Sequence, residues 1–356
     1  MKTYDIAFVG LGASSLAYLK IKYEKSSLSI IGIDKNFNKK RNNFFAFWLT
    51  NWMKEFESVI TYQWESWEFT DYNKNIKHYS TDMPYSVIRF QDWKNYCLKE
   101  INNFSCIESN VLEIKNIDEG YLISLDNGEK ISAKKIYDSR NIKPKADCLK
   151  QHFIGHIIET ETTHDHHVAK LMDFRVPQEE GLHFIYVLPL DDKKLLVEST
   201  IFSKRVLNDK WYETQIEGYI NKFLKINGYR LIEKERGVLP MFEIKSKNDG
   251  NYINIGSRDG ATKISSGYAF SFFLKKILYE KEYYHSFLDN WMDKIFVNYL
   301  ENNRKSDEIF IRMASALNGK EFASFMMGIA DIKIKFKVIL SMPKIGFIKS
   351  FLSSFK

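Results

Sequence analysis

Near its start the chain passes from an apolar run, Tyr4 to Val9, through Gly10-Leu11-Gly12-Ala13-Ser14-Ser15 into a helical stretch that reaches Lys25. A second apolar run, Leu28 to Ile33, then closes on Asp34. Few folds accept this order. Glycines permit a tight turn from strand to helix, the helix N-terminus presents amide donors to a pyrophosphate, and a carboxylate after the second strand accepts a ribose hydroxyl. Asp34 follows Gly12 by 22 residues, which suits that role. The order predicts a βαβ dinucleotide-binding unit, with Gly10, Gly12, Ser15 and Asp34 at the cofactor. Ser15 replaces the third glycine of the pattern, and its side chain should hold helix and strand slightly further apart.

A second element of this kind lies far along the chain. Ile253 to Ile255 reads as a strand, Gly256-Ser257-Arg258-Asp259-Gly260 as a turn, and Lys263 to Phe270 leads through Gly267 and Tyr268 into a helix. Two separated anion cradles suit one extended dinucleotide such as FAD, in contact with Gly256, Asp259, Gly260 and Gly267. Arg89 precedes a predicted helix, Gln91 to Ile101, where guanidinium and amide donors can converge on a phosphate or a flavin edge. A surface arginine is the alternative.

The middle of the chain reads as strands. Two apolar runs, Phe184 to Leu190 and Leu195 to Thr200, flank the polar turn Asp191 to Lys194 and predict an antiparallel hairpin. Glu198 interrupts the second run. A carboxyl group held beside apolar side chains resists ionisation, and one kept neutral near pH 7 can protonate even a carbon-carbon double bond; the alternative is a solvated glutamate on an outer face. Asp173 and Arg175 fall on one side of a preceding strand, as site residues or as a surface ion pair. Gln151 to Thr160 alternates like a half-buried strand. Tyr62 to Ser80 reads as aromatic-rich strands, and Asn36 to Trp52 as a loop leading to a helix. His164, Asp165, His166 and His167 fall in a polar loop with no second ligand cluster, so no metal site is predicted.

Composition narrows the class. With 44% hydrophobic residues the chain fills a core, and 27 Phe, 20 Tyr and 7 Trp exceed what packing alone requires. The net charge of +7 points to anionic partners. Much of it lies at the end: Ile332 to Lys356 holds six lysines and no acidic residue. Lysine alternates with apolar residues from Ile332 to Val338, which fits a strand better than a helix. Cations among apolar anchors suit an anionic bilayer or a solvated basic tail, and no nucleic-acid motif accompanies them. Three scattered cysteines imply a reducing compartment, and the early strand leaves no room for a signal peptide. A cytoplasmic protein held peripherally at the inner membrane is expected.

Together these segments resemble the flavin-dependent lycopene cyclase family. The likeness runs from Tyr4 to about Phe273. It rests on the glycine fingerprint, Tyr85 to Arg89, Asp138-Ser139-Arg140, Met172-Asp173-Phe174-Arg175, Phe184 to Leu190, Leu196-Val197-Glu198-Ser199-Thr200, Gly237 to Met241, and Ser265 to Phe270. The resemblance implies that Glu198 is the essential acid, with Asp173 a further catalytic candidate and Phe184, Tyr186, Arg175 and Tyr268 at the substrate. Ser199 stands where plant members carry a second acid. It also implies protonation of the ψ end group of lycopene or a related acyclic carotenoid, attack by the neighbouring double bond, and loss of a proton, giving a β-ring with no net oxidation. FAD is then needed in its reduced form, with NAD(P)H as donor.

The implied fold is α/β: a Rossmann-type FAD-binding domain (1–150 with 250–280), a mixed or antiparallel β-sheet substrate domain (151–249 with part of 60–90), and a helical, basic C-terminal region (281–356) facing the membrane. Two rival readings share the scaffold. One is a redox flavoprotein, either a monooxygenase or an isoprenoid reductase; the other is a non-catalytic membrane-bound flavin or lipid carrier.

Overall fold

Strand β1 (Lys2–Val9) is the axis of the first layer in the computed structural model, which describes residues 2–41, 43–303 and 306–353. It runs into α1 (Ala13–Tyr23) and on to β2 (Ile30–Ile33), parallel to β1, with Ile6 opposite Ile30 and Val9 opposite Ile33. Next come β3 (Phe44–Trp48), β4 (Tyr62–Trp64), β5 (Ser66–Thr70), β6 (Asn75–Tyr79), β7 (Tyr85–Arg89) and α2 (Phe90–Leu98). They lead to β8 (Phe104–Ile107), β9 (Val111–Ile117), β10 (Gly120–Leu125) and β11 (Lys130–Asp138). The second layer adds β12 (Lys150–Thr160), β13 (Val168–Asp173), β14 (Leu182–Pro189), β15 (Lys194–Ser203), α3 (Asp209–Tyr219) and β16 (Tyr229–Pro240). After β17 (Tyr252–Asn254) the chain is helical: α4 (Phe270–Leu278), α5 (Phe287–Asn302), α6 (Asp307–Ala316), α7 (Gly319–Met326), α8 (Ile332–Ser341) and α9 (Lys344–Ser353).

The first sheet has the order β8-β2-β1-β11-β10-β9, with β17 parallel to the end of β11. The second has the order β16-β12-β15-β14-β13-β5-β6. Helix α3 covers one face of this second sheet, burying Tyr212, Ile216 and Tyr219 against Ile154, Ile185, Val187 and Val197. The other face looks into the main core. With α3 on one side and the core on the other, most of β12 is buried on both faces rather than on the one its alternation suggests.

One further expectation is corrected. Within Asn36 to Trp52, Phe44 to Trp48 form strand β3 of a small sheet ordered β3-β7-β4, not a loop. Phe45 and Phe47 stack on Phe270 at 5.3 Å each, so the aromatic run is held by packing from α4. The C-terminal region is helical, as the implied fold has it, and this includes the tail whose lysine alternation alone fits a strand better. Asp331 caps α8 by accepting from the Ile334 amide at 2.9 Å, and Ile334, Val338 and Met342 recur every fourth residue on the inner face. Lys335 is buried against Asp289 at 2.7 Å.

Edge strand β16 carries one irregularity. Ile157 pairs with Glu233 and Ile158 with Leu231, so Ile232 is an extra, unpaired residue. Such a bulge sets which side chains of the strand face inward.

Candidate active site

A cavity of about 1300 Å³ opens between the two large sheets. At one end it meets the glycine turn. Gly12 is the N-cap of α1 and offers no side-chain cap, so the first amides of the helix are left for a ligand. Gly12, Ala13 and Ser14 line the cavity with Ser139, Asn141 and Ser257. The Gly10 carbonyl accepts from the hydroxyls of Ser15 at 2.7 Å and Ser139 at 2.9 Å. Ser15 is fully buried, so it braces the turn where a third glycine would merely make room.

Asp34 accepts from the amides of Leu11 and Asn36, each at 2.8 Å, and from Arg41 at 2.5 Å. Burial opposes its charge, but these donors together hold its pKa below the usual carboxylate value. Asn36 and Arg41 line the cavity beside it. Arg89 lies over the Phe44 ring at 5.5 Å, and its buried Nε has no partner among the described residues.

The second cradle approaches the first directly. Gly256 has a φ of +63°, and a Cβ there would fall 2.3 Å from Ser14 Oγ. Gly267 lines the cavity next to Gln151. Gln151 Oε1, Ser266 Oγ and Trp48 Nε1 are buried without partners among the described residues, and all three residues line the wall. Buried polar atoms are ordinarily satisfied. Such atoms can serve the polar edge of a ring system, and the residues present fit a pyrophosphate-linked dinucleotide.

Midway along the cavity lies a row of residues from four strands. Tyr186 on β14 is opposite Glu198 on β15, Glu198 is opposite Gly155 on β12, and Gly155 is opposite Glu235 on β16. Residues directly opposite share a face, and Tyr186, Glu198 and Glu235 all line the cavity. Only 9% of Glu198 is exposed. Burial pushes its carboxyl up to about 7, against hydrogen bonds from Thr200 and Glu235 that favour the charged form. Glu235 is raised well above the usual value by burial and by the neighbouring Glu198.

Around the two acids the Tyr85 hydroxyl lies 2.8 Å from that of Tyr186 and 3.0 Å from that of Tyr268. Burial raises all three phenols, which stay neutral donors. Phe184, one row along, completes an aromatic wall with Trp48. Beyond it the cavity continues to Phe296, Phe310, Leu340, Phe347 and Phe351 of the C-terminal helices.

Several predicted site residues lie elsewhere. Asp173 is fully buried but faces α3, where it accepts from Tyr219 at 2.6 Å and from Arg175 at 2.6 Å. Arg175 lies over the Phe223 ring at 4.5 Å. This pair fastens α3 to the sheet and corrects the expectation of a catalytic acid and a substrate-binding arginine. A bulge in β13 between Lys170 and Asp173 turns the strand, so same-side spacing did not reveal which side. Asp259 accepts from Lys276 at 3.0 Å and Tyr284 at 2.9 Å, and Gly260 ends its turn with a φ of +83°. Both lie outside the cavity lining, behind the second cradle. The sequence assigned no role to Glu235, Gly155 or Tyr85. Among the described residues no group of three or more His, Cys, Asp or Glu is placed to hold a metal ion.

A two-layer scaffold with a nucleotide turn feeding a shared cavity is the fold of FAD-dependent oxidoreductase-like proteins. It matches a geranylgeranyl bacteriochlorophyll reductase-like protein from Thermoplasma acidophilum with a TM-score of 0.63 at 13% identity, over 99% of this chain and 100% of that one. It also matches p-nitrophenol 4-monooxygenase from Pseudomonas putida, with a TM-score of 0.59 at 12% identity over 99% of each chain. A halogenase in complex with FAD gives a TM-score of 0.54 at 11% identity, over 90% of this chain and 78% of that one.

Within that class the chain belongs to the lycopene cyclase family, whose model, described as Lycopene cyclase protein, matches residues 5–278. Lycopene beta-cyclase of a Paracoccus strain is 30% identical over 122 residues, 33% of this chain and 31% of that protein. Lycopene beta-cyclase of Pseudescherichia vulneris is 24% identical over 258 residues, 67% of this chain. The match spans 61% of that relative's own length.

Proposed function

We propose that the protein is a flavin-dependent lycopene β-cyclase that closes the ψ end groups of lycopene, or of a related acyclic carotenoid, into β-rings. The observation that carries this is Glu198: a carboxyl that burial raises to about 7, set in an aromatic cavity that runs without a break from the nucleotide cradle. The α1 turn, Asp34, Arg89, Ser139, the Gly256 turn and Gly267 would hold FAD. Reduced by NAD(P)H, the flavin would supply negative charge to the site.

The chain's own residues do the rest. Glu198 donates its proton to the terminal double bond, and the faces of Phe184, Tyr186 and Tyr268 attract the resulting cation. The apolar walls keep water from capturing it.

At the far end, α8 and α9 expose Ile332, Phe336, Leu340, Ile345, Ile348 and Leu352 among Lys333, Lys337 and Lys349. Leu340, Lys344, Phe347 and Phe351 also border the cavity. We place this end on the cytoplasmic face of an anionic bilayer, with the hydrocarbon entering from the lipid. Among the described residues no helix is long and apolar enough to cross a membrane.

The test is expression in lycopene-accumulating bacteria with chromatography and mass spectrometry of the pigments. A cyclised product keeps the mass of lycopene; gain of oxygen or hydrogen would replace this reading with a monooxygenase or a reductase. Because the acid must be protonated to act, the rate should fall at alkaline pH, on the far side of about 7, and a pH-rate profile with no alkaline limb would remove Glu198 as donor. Gly256→Ala should weaken flavin retention by about tenfold or more, since the left-handed backbone and the contact with Ser14 together cost more than about 1.4 kcal/mol. Flavin absorbance after gel filtration checks it, and full retention would detach the second cradle from the site.

A further inference from the structure

Gly155 lies opposite Glu198 on one side and Glu235 on the other. Strands two apart in a sheet are separated by roughly 10 Å, a gap that a side chain at the middle position would occupy. Glycine leaves it open. A Cβ at position 155 would fall 2.9 Å from Glu235 Cγ, 3.0 Å from its Oε1 and 3.0 Å from Leu196 Cδ1. Glu235 instead reaches over the bare strand, which brings its carboxyl within reach of that of Glu198.

Carboxyl oxygens in such contact require a proton between them. Thr200 donates to Glu198, and the Phe44 amide donates to Glu235. The other groups facing the pair are Glu233 on β16 and the hydroxyls of Tyr85, Tyr186 and Tyr268. Lys234 and Arg236 alternate onto the opposite face, paired with Glu213 and Asp209.

Resting on the cyclase reading, we propose that Glu198 and Glu235 form one catalytic pair sharing a single proton, which gives that proton to the substrate and takes back the one released at ring closure. A carboxyl O–H breaks as the C–H bond at the terminal double bond forms. The neighbouring double bond supplies the electrons of the ring C–C bond. A ring C–H then breaks, its electrons make the new double bond, and its proton returns to the pair. No oxidant or reductant is consumed. While the proton is away, two carboxylates face each other in a dry site, and their repulsion makes the pair a stronger base than either acid alone. Their charge also lies beside the ring cation.

The pair is tested first without substrate. In flavin-loaded protein with ¹³C-labelled glutamate carboxyls, the two resonances, identified by their loss in Glu198→Gln and Glu235→Gln, should titrate in linked steps more than about 2 pH units apart. Two independent titrations would overturn the proposal. In turnover, Glu235→Gln should lower the rate about a hundredfold and move the alkaline limb of the pH profile to lower pH, because Glu198 then ionises without a charged neighbour. Gly155→Ala should move it the same way, and Glu235→Asp should partly restore it. An unmoved limb overturns the proposal, and if Glu235→Gln fails to load flavin the parent's titration decides. Linked titration in a protein that leaves lycopene unchanged would keep the pair and discard the substrate; independent titration in an active cyclase would do the reverse.

Discussion

Glu198→Gln is expected to lower ring closure by about 10²–10⁴-fold, the usual contribution of a positioned proton donor, while flavin content and melting temperature stay near those of the parent. The amide matches the carboxyl in size and still accepts from Thr200, so the wall keeps its shape. What it lacks is a proton acidic enough for an alkene. Pigment analysis of cells carrying each form, with flavin absorbance as the control, measures the effect. If the variant retained more than a tenth of the parent's cyclising activity, the donor would have to be another group.

The second large effect concerns stability. Lys263 is 3% exposed and donates to both oxygens of Asp293, at 2.6 and 2.8 Å. It begins the loop that carries Gly267 and Tyr268, and the Gly267 amide returns to its carbonyl at 2.8 Å. One turn away on α5, Asp289 receives Lys335 from α8. Two buried ion pairs thus clamp α5 between the cofactor loop and the C-terminal helices. Lys263→Met should destabilise the fold by about 3–5 kcal/mol, because it leaves Asp293 buried without its cation. Thermal melts should show the loss, and Lys263→Met with Asp293→Leu should recover much of it. A single variant as stable as the parent would mean that water reaches Asp293.

Local signals made parts of this molecule legible. The glycine turn and the Phe184 to Thr200 hairpin depend on short-range backbone rules, and the structure has both. Glu198 stood out because a charge inside an apolar run has few explanations. Its partner did not. Glu235 sits among Glu233, Lys234 and Arg236 on an edge strand, where charge ordinarily means solvent, and only the strand order brings it beside Gly155. A glycine in mid-strand was the available signal, since it marks close approach of another group. Asp173 and Arg175 misled for a related reason: spacing shows that two residues share a side but not which side meets the cavity. In the tail, the regular lysines concealed the four-residue spacing of Ile334, Val338 and Met342.

Ser199 takes its meaning from the same geometry. It faces away from the cavity, 2.9 Å from His183, so an acid at that position would point towards α3. A second carboxyl reaches Glu198 from another strand instead.

The register of β16 on β12, unbroken from Glu233 to Pro240, sets which charges the chamber meets. Were β16 to slide by one position against β12, the side chains of Lys234 and Arg236 would turn to the wall in place of those of Glu233 and Glu235. On the cyclase reading, an enclosure suited to a carbocation would then repel it. On the same reading, a residue inserted between Glu235 and Gly237 should turn the side chains of Glu233 and Glu235 away from the chamber and abolish activity although every group that meets the hydrocarbon is still present.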